Sequence, residues 1–291
     1  MSSPSVDLDA AVRAIVGNHE NPPPEAAQPA AHYLRTSNDH VKTLTDLTRA
    51  CDVFATISPT AREGHLTRSR GMVLVNLIET FERYLKEAAA ACIDLLARHV
   101  LDDRFNKFPL SGGVLAAHFA AGTVGRALCE ALVPTDTAKV NDRFRALLAD
   151  PFEDGKFALF PTGKKDPDRR RFETLKIVWQ LRHTVVHNVG IITKSDAIKF
   201  QLRMSTAVPS PVLLTPTRDD VRHLKQFLDD TVELAGGRIA GRLGEILTVL
   251  HAGNSSLFDP RATADDAARA FGRAVTVAGH AGDPSPPAKL H

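Results

Sequence analysis

The chain has 291 residues, of which 43% are hydrophobic, so it is long enough to bury one large core or two small ones. Lysine and arginine number 36 against 34 aspartates and glutamates, giving a formal net charge of +2 at pH 7. This balance excludes a uniformly basic coat for nucleic acid, but it leaves room for a local basic cleft.

The cysteines and the apolar runs narrow the class of protein further. Cys51, Cys92 and Cys129 are far apart and show no CxxC or CxxH spacing, so we expect reduced thiols and no zinc site. The N-terminus lacks the basic-then-apolar pattern of a signal peptide, and no apolar run reaches the roughly 18 residues of a membrane span. We therefore expect a soluble, cytoplasmic protein that does not associate with membranes.

The first third of the chain predicts a tail followed by helices. Residues 1–30 include NPPPEAAQPA, whose prolines exclude helix and favour a disordered, proline-rich tail. Residues 31–67 read as an accessory helical segment with a first helix over 32–57. A longer helix is predicted over about 69–99, because its apolar residues recur at the spacing of one helical face. These residues are Leu74, Leu77, Ile78, Phe81 and Leu85.

The middle of the chain predicts shorter elements. Residues 111–132 are rich in alanine and glycine and are typical of one or two closely packed helices. A short helix follows, with Thr135 or Asp136 as its N-terminal cap. The loop after it contains several prolines and glycines and ends in a basic cluster: Lys164, Lys165, Arg169, Arg170 and Arg171.

The last part of the chain contains the most distinctive segment. A helix is predicted over about 169–188 and ends near Gly190. The segment from Gly190 to about residue 216 is rich in β-branched residues and prolines, which predicts two short strands rather than a helix. Thr217 caps a long helix to about 250, and residues 251–291 form a flexible tail with a short helix near 262–276. The predicted fold is an all-α helical bundle with a short β-hairpin insertion and flexible termini, because strands and helices do not alternate.

The stretch LRHTVVHN places Arg182, His183 and His187 within six positions of the predicted helix. Histidine can transfer a proton near neutral pH, and arginine offers a charged planar fork that fits a phosphate. The two histidines are four residues apart and share one face, whereas Arg182 points about 140° away from His187 on an ideal helix. The two groups can converge if the helix ends there, or if a second copy of the helix is brought up.

LRHTVVHNVG resembles the signature of HEPN domains, a family of small helical bundles that includes ribonucleases and scaffolds. The motif is an arginine, four to six residues, and a histidine, which here are Arg182 and His187, with Asn188 and Gly190 matching its tail. ETFERYLKE resembles the family's early aromatic and acidic helix and places Glu82 at its acidic position. LLTPTRDD resembles the RiboL-PSP-HEPN branch. The resemblance covers roughly residues 68–250, the predicted HEPN-like helical domain.

This resemblance implies a metal-independent endoribonuclease without a cofactor, in which two motif helices face each other across an RNA-binding cleft of a homodimer. His187 would transfer the proton, Arg182 would hold the phosphate and His183 would assist. From their charge we also expect four cations (Lys164, Lys165, Arg169 and Arg170) to contact the substrate, together with Asn188 of the motif. Members serve in toxin–antitoxin and antiviral systems, so an antitoxin or sensor would be a separate chain. Other members have lost the activity and act as binding scaffolds.

Simpler interpretations of the same residues stay open. The cations near 182–187 could satisfy carbonyls at a helix C-terminus, and the histidine pair could bind a metal, although Thr184 stands where a metalloprotease has glutamate. Glu82 could pair with a buried cation or lie on a solvated face. The basic cluster could be a solvated loop or a phosphate track, and Trp179 could belong to the core or stack on a base. The tails alone could also dock a partner, with the bundle only supporting them.

Overall fold

The computed structural model describes residues 28–53, 58–97, 136–149, 157–163, 168–253 and 263–271, together with four single positions, Val12, Gly125, Leu128 and Cys129. Within these ranges the chain forms seven helices and one two-stranded sheet. The helices are α1 (Pro29–Val53), α2 (Pro59–Ala97), α3 (Thr137–Leu148), α4 (Arg169–His187), α5 (Lys194–Met204), α6 (Arg218–Gly253) and α7 (Ala264–Phe271). The strands are β1 (Ile191–Ile192) and β2 (Val212–Leu213), which pair antiparallel. The predicted class, an all-α bundle with a short β-hairpin, is confirmed.

Helix α2 is the centre of the bundle and packs against α1, α4 and α6. Its predicted apolar stripe is buried, and Leu77, Ile78 and Phe81 are fully enclosed. Burying each such side chain stabilises the fold by about 1.5–3 kcal/mol. The helix begins at Pro59, about ten residues before the predicted start, because Ser58 caps it by accepting a hydrogen bond from the Ala61 amide. The predicted boundary between residues 31–67 and 68–250 therefore falls inside one continuous helix.

Three helices begin with the same device, a threonine followed three residues later by an aspartate. Thr193 and Asp196 cap α5, and Thr217 caps α6 in the same way through Asp220. A third pair at the start of α7 consists of Thr263 and Asp266. In each pair the hydroxyl accepts from the aspartate amide while the carboxylate accepts from the threonine amide, so two otherwise unpaired N–H groups are satisfied.

Helix α5 corrects the prediction that the segment after Gly190 forms strands rather than helix. The two strands exist, but they are two residues long and flank an eleven-residue helix. The Thr193 cap starts α5, and Phe200 and Ala197 give it a buried face that packs with Ile192 in a small second core. Local capping and this burial outweigh the strand preference of the surrounding β-branched residues.

The C-terminal part of the chain contributes to the main core. The short helix predicted near 262–276 is confirmed as α7, which packs against α6. Its Ala267 and Phe271 are buried, so this part of the segment predicted as a flexible tail is a packed element. Asp136 caps α3 as one of the two predicted candidates, by accepting from the Ala138 amide.

Some predictions fall outside the described residues. These are the three consecutive prolines at 22–24, the helices over 111–132 apart from three single positions, and the basic residues Lys164 and Lys165. Pro29 and Ala30, predicted as part of the N-terminal tail, instead belong to the first turn of α1, where proline is tolerated. All three cysteines carry free thiols, as predicted. Of the helices in the described ranges, none combines the length and the apolar character needed to cross a lipid bilayer.

Candidate functional site, a basic groove beside the histidine helix

Helix α4 has two faces of different character. Its inward face carries Phe172, Leu175 and Trp179, all buried in the main core. Its outward face carries a polar stripe whose members recur every three or four residues, the spacing of one helical face. The stripe consists of Arg169, Glu173, Lys176, Gln180, His183 and His187. The helix is therefore held by its apolar side and presents the histidines on the other.

The stripe forms one wall of an open groove with a volume of about 1010 Å³. Residues of α5, Lys199, Leu202 and Arg203, line the opposite wall, and Asp136 and Thr137 contribute from the start of α3. Five lysines and arginines line the groove against two acidic residues, in addition to the two histidines. A concave surface with an excess of one charge focuses its field, so this groove attracts anions.

His183 and His187 lie next to each other on the α4 wall of the groove. Their ring centroids are 4.7 Å apart and the ring planes are inclined by 43°. Both side chains are exposed, so both imidazoles are accessible to a substrate. Within the described ranges, no cluster of three or more histidines, cysteines or carboxylates is suited to hold a metal ion.

Arg182 lines the same groove from the flank of α4 that faces α2. Its Nη2 atom lies 3.1 Å from Oε1 of Glu79, and its Nε atom lies 3.4 Å from Oε1 of Glu82. The side chain is 21% exposed, and Nε is buried without a hydrogen bond of good geometry. Arg182 and the histidines therefore meet at one groove within a single chain, although they leave the helix in different directions.

Glu82 is buried beneath Arg182 and accepts a hydrogen bond from Trp179 Nε1 at 3.2 Å. Burial raises the pKa of Glu82, and the positive charge of Arg182 opposes this rise without cancelling it. The interpretation of Glu82 as a solvated residue is therefore excluded. Trp179 packs in the core against Phe81, with ring centroids 6.3 Å apart, and only a small part of it borders the groove.

Asn188, a predicted substrate contact, instead binds the carboxylate of Asp196. Its Nδ2 donates to Oδ2 of Asp196 at 2.7 Å, while Gln180 Nε2 donates to Oδ1 of the same carboxylate at 2.9 Å. Asn188 is not among the residues that line the groove. Its amide fastens the end of α4 to the start of α5. Gly190 adopts a left-handed φ of 80° and its amide bonds to the Thr184 carbonyl, so the helix ends where the sequence predicted.

The structure separates the predicted basic cluster. Arg169 lines the groove at the first turn of α4, whereas the exposed Arg170 does not. Arg171 faces α6, where it donates to Thr231 and lies over the ring of Phe227. Lys164 and Lys165 lie outside the described residues.

Three groove cations escaped the sequence analysis: Lys176, Lys199 and Arg203. Lys176 lies seven residues from both Arg169 and His183, so the helical period could have identified it. Lys199 and Arg203 belong to α5, which was not predicted as a helix. Its capping sequence, Thr193 to Asp196, was the available signal.

Comparisons with protein families, with curated proteins and with solved structures found no match for this chain.

Proposed function

We propose that the protein is a metal-independent endoribonuclease that cleaves RNA in the groove between α4 and α5, as the resemblance to HEPN domains implies. One observation carries the proposal: two adjacent, exposed imidazoles line the same groove as Arg182 and four further cations. This combination offers proton transfer and phosphate binding at one place, which are the two requirements for cleaving RNA without a metal.

The proposed reaction uses the 2′-hydroxyl of RNA as the nucleophile. His187 removes the proton from this hydroxyl as its oxygen attacks the adjacent phosphorus, and the bond from phosphorus to the 5′-oxygen breaks. His183 assists by giving a proton to the departing 5′-oxygen. Arg182 stabilises the negative charge that accumulates on the phosphoryl oxygens. The products are a 2′,3′-cyclic phosphate and a free 5′-hydroxyl, so protons and charge balance without an added reactant.

The proposal includes a homodimer in which two copies of α4 approach each other and share the RNA. It also includes action in the cytoplasm, in a toxin–antitoxin or antiviral role, with an antitoxin or sensor supplied by a separate chain. Light scattering at micromolar concentration tests the dimer. A monomer at all concentrations would contradict a shared cleft and would leave only the single-chain groove to do the work.

The cleavage test compares the wild type with Arg182→Ala and His187→Ala on single-stranded RNA in the presence of EDTA. We expect the wild type to cut and both variants to lose the activity by at least about a hundredfold, the usual contribution of a proton-transfer group for His187 and of a charge-stabilising donor for Arg182. His223→Ala is the matched control, because His223 is exposed on α6 and does not line the groove. Intact RNA with the wild type would contradict the proposal.

A second candidate is a binding scaffold that uses the same groove without catalysis. It is favoured by the two carboxylates that already neutralise Arg182, since a phosphate must compete with them. It predicts that RNA or a nucleotide binds and stays intact, and that the same substitutions weaken binding. A third possibility is a regulator that binds its partner through its terminal segments. In that case removing residues 1–30 or 251–291 should abolish function, whereas Arg182→Ala and His187→Ala should have no effect.

A further inference from the structure

Arg182 contacts two carboxylates of α2, Glu79 and Glu82, whose environments differ. They are one helical turn apart, so both reach the guanidinium of α4. Glu82 has a side chain only 10% exposed, and it also accepts the hydrogen bond from Trp179. Glu79 has a side chain 48% exposed, and it contacts Nη2, the outer part of the guanidinium. One carboxylate is thus fixed by the core, and the other borders solvent.

We propose that Glu79 is an internal competitor for the substrate phosphate: it occupies the outer edge of Arg182 until an anion in the groove displaces it. Glu82 keeps its contact with Nε throughout and is the positioning residue for the guanidinium. This inference rests on the proposed function in one respect, since it takes the displacing anion to be a phosphodiester of RNA.

The energies of the two contacts differ in the direction that this exchange requires. A half-exposed ion pair contributes little to stability because solvent screens its charges, so releasing Glu79 to solvent costs little. Moving Glu82 away would leave a buried carboxylate without its cation, which costs several times more. A phosphate also accepts hydrogen bonds from the same Nη edge, with geometry at least as favourable as that of a carboxylate. An incoming phosphate therefore replaces Glu79 and not Glu82.

The exchange also favours one class of ligand. A single phosphate gains only the contact that Glu79 gives up. A strand with several phosphates gains the same contact and also reaches other groove cations, among them Lys199 and Arg203 on α5. Glu79 therefore selects for a polyanionic strand over an isolated phosphate or mononucleotide.

Binding of a 2′-O-methyl RNA oligonucleotide, followed by fluorescence anisotropy, tests this role without cleavage, because the probe lacks the nucleophilic hydroxyl. We expect Glu79→Gln to bind about two- to fivefold more tightly than the wild type, the factor that corresponds to losing the competing ion pair. Glu173→Gln is the matched control: Glu173 lines the same groove, is 42% exposed and pairs with Lys176 instead of Arg182. It removes the same charge and should change the affinity less.

A second comparison isolates Arg182. In an Arg182→Gln background, which keeps a hydrogen-bond donor beside Glu82, Glu79→Gln should no longer improve binding beyond the change seen for Glu173→Gln. Thermal melts establish that each variant is folded. Equal effects of the two glutamine variants, a Glu79→Gln gain that survives without Arg182, or no oligonucleotide binding by any variant would overturn the proposal.

The outcome for cleavage is separate from this test. If natural RNA stays intact but the Glu79→Gln gain depends on Arg182, the nuclease proposal fails and the competitor role stands. If the RNA is cut and Glu79→Gln does not bind more tightly, the nuclease proposal stands and the competitor role of Glu79 fails.

Discussion

Two buried carboxylates flank α4, and they differ in how their charges are compensated. Asp196, at the start of α5, accepts hydrogen bonds from four donors on Gln180, Asn188 and Thr193. Glu82, on α2, accepts one bond from Trp179 and contacts Arg182. Burial raises the pKa of both carboxyls, but at Asp196 the bonds from Thr193 and Asn188 more than reverse it, so that the pKa of Asp196 falls and the pKa of Glu82 rises.

Asp196 is therefore a structural clamp between two helices, whereas the charge of Glu82 is compensated by one cation, Arg182. Asp196 is compensated mainly by neutral donors that belong to the fold, with a smaller contribution from the charge of Lys199, and it fixes α4 to α5. Glu82 depends on Arg182, a residue that also borders the groove. Changes at Asp196 should therefore act first on the stability of the α4–α5 junction, whereas changes near Glu82 should act on stability and directly on the charge of Arg182 in the groove.

The largest expected effect on stability comes from Asp196→Ala. The substitution removes four hydrogen bonds and leaves buried amide donors without acceptors, so we expect a loss of about 2–4 kcal/mol in the free energy of unfolding. Urea denaturation followed by circular dichroism measures it. Asp219→Ala, in an exposed ion pair at the first turn of α6, is the control and should change stability by less than about 1 kcal/mol. Equal effects of the two would show that the clamp is not used.

Helix α5 also shows how far the sequence could predict this molecule. The apolar period of α2 and the Arg182–His187 spacing were visible because both are local patterns. Lys199 and Arg203 were missed because strand-forming residues on both sides of α5 concealed its capping sequence. Glu79 was missed because its contact with Arg182 joins residues 103 positions apart, and only the packing of α4 on α2 brings them together.

Removing Arg182 tests how the charge of Glu82 is compensated. Arg182→Ala leaves Glu82 buried beside an empty space, and we expect a loss of about 1–3 kcal/mol in the free energy of unfolding. Adding Glu82→Gln to the same protein removes the uncompensated charge and should restore part of that loss. Chemical denaturation of the two single variants and the double variant measures the coupling. Strictly additive effects would contradict the ion contact.

The pH dependence of stability should have opposite signs at the two carboxylates. The lowered pKa of Asp196 makes its contribution complete above its unfolded pKa of about 3.9, and the contribution is lost as the pH falls towards the lower folded pKa. The raised pKa of Glu82 makes its ionised form costly, so the wild type gains stability relative to Glu82→Gln as the pH falls through the folded pKa towards about 4.3.

Unfolding curves of the wild type, Asp196→Asn and Glu82→Gln across this acidic range measure both trends. The stability advantage of the wild type over Asp196→Asn should shrink on acidification, while its difference from Glu82→Gln should move in favour of the wild type. Parallel trends for the two variants would contradict the assignment.

The smallest expected effect on stability belongs to the exposed histidines. His183→Ala and His187→Ala remove no buried contact, so each should change the free energy of unfolding by less than about 0.5 kcal/mol. On the proposed function the same substitutions should greatly reduce RNA cleavage, which would separate the two histidines from the residues that stabilise α4. A loss of several kcal/mol for either would instead assign the pair a structural role.

The most direct test of the groove as a metal-independent nuclease is the chemistry of its products. Single-stranded RNA is incubated with the protein in EDTA, and the fragment ends are identified by mass spectrometry. We predict 2′,3′-cyclic phosphate and 5′-hydroxyl ends with the wild type and with His223→Ala, and intact RNA with His187→Ala. Uncut RNA with the wild type, or the same fragments after His187→Ala, would contradict the account.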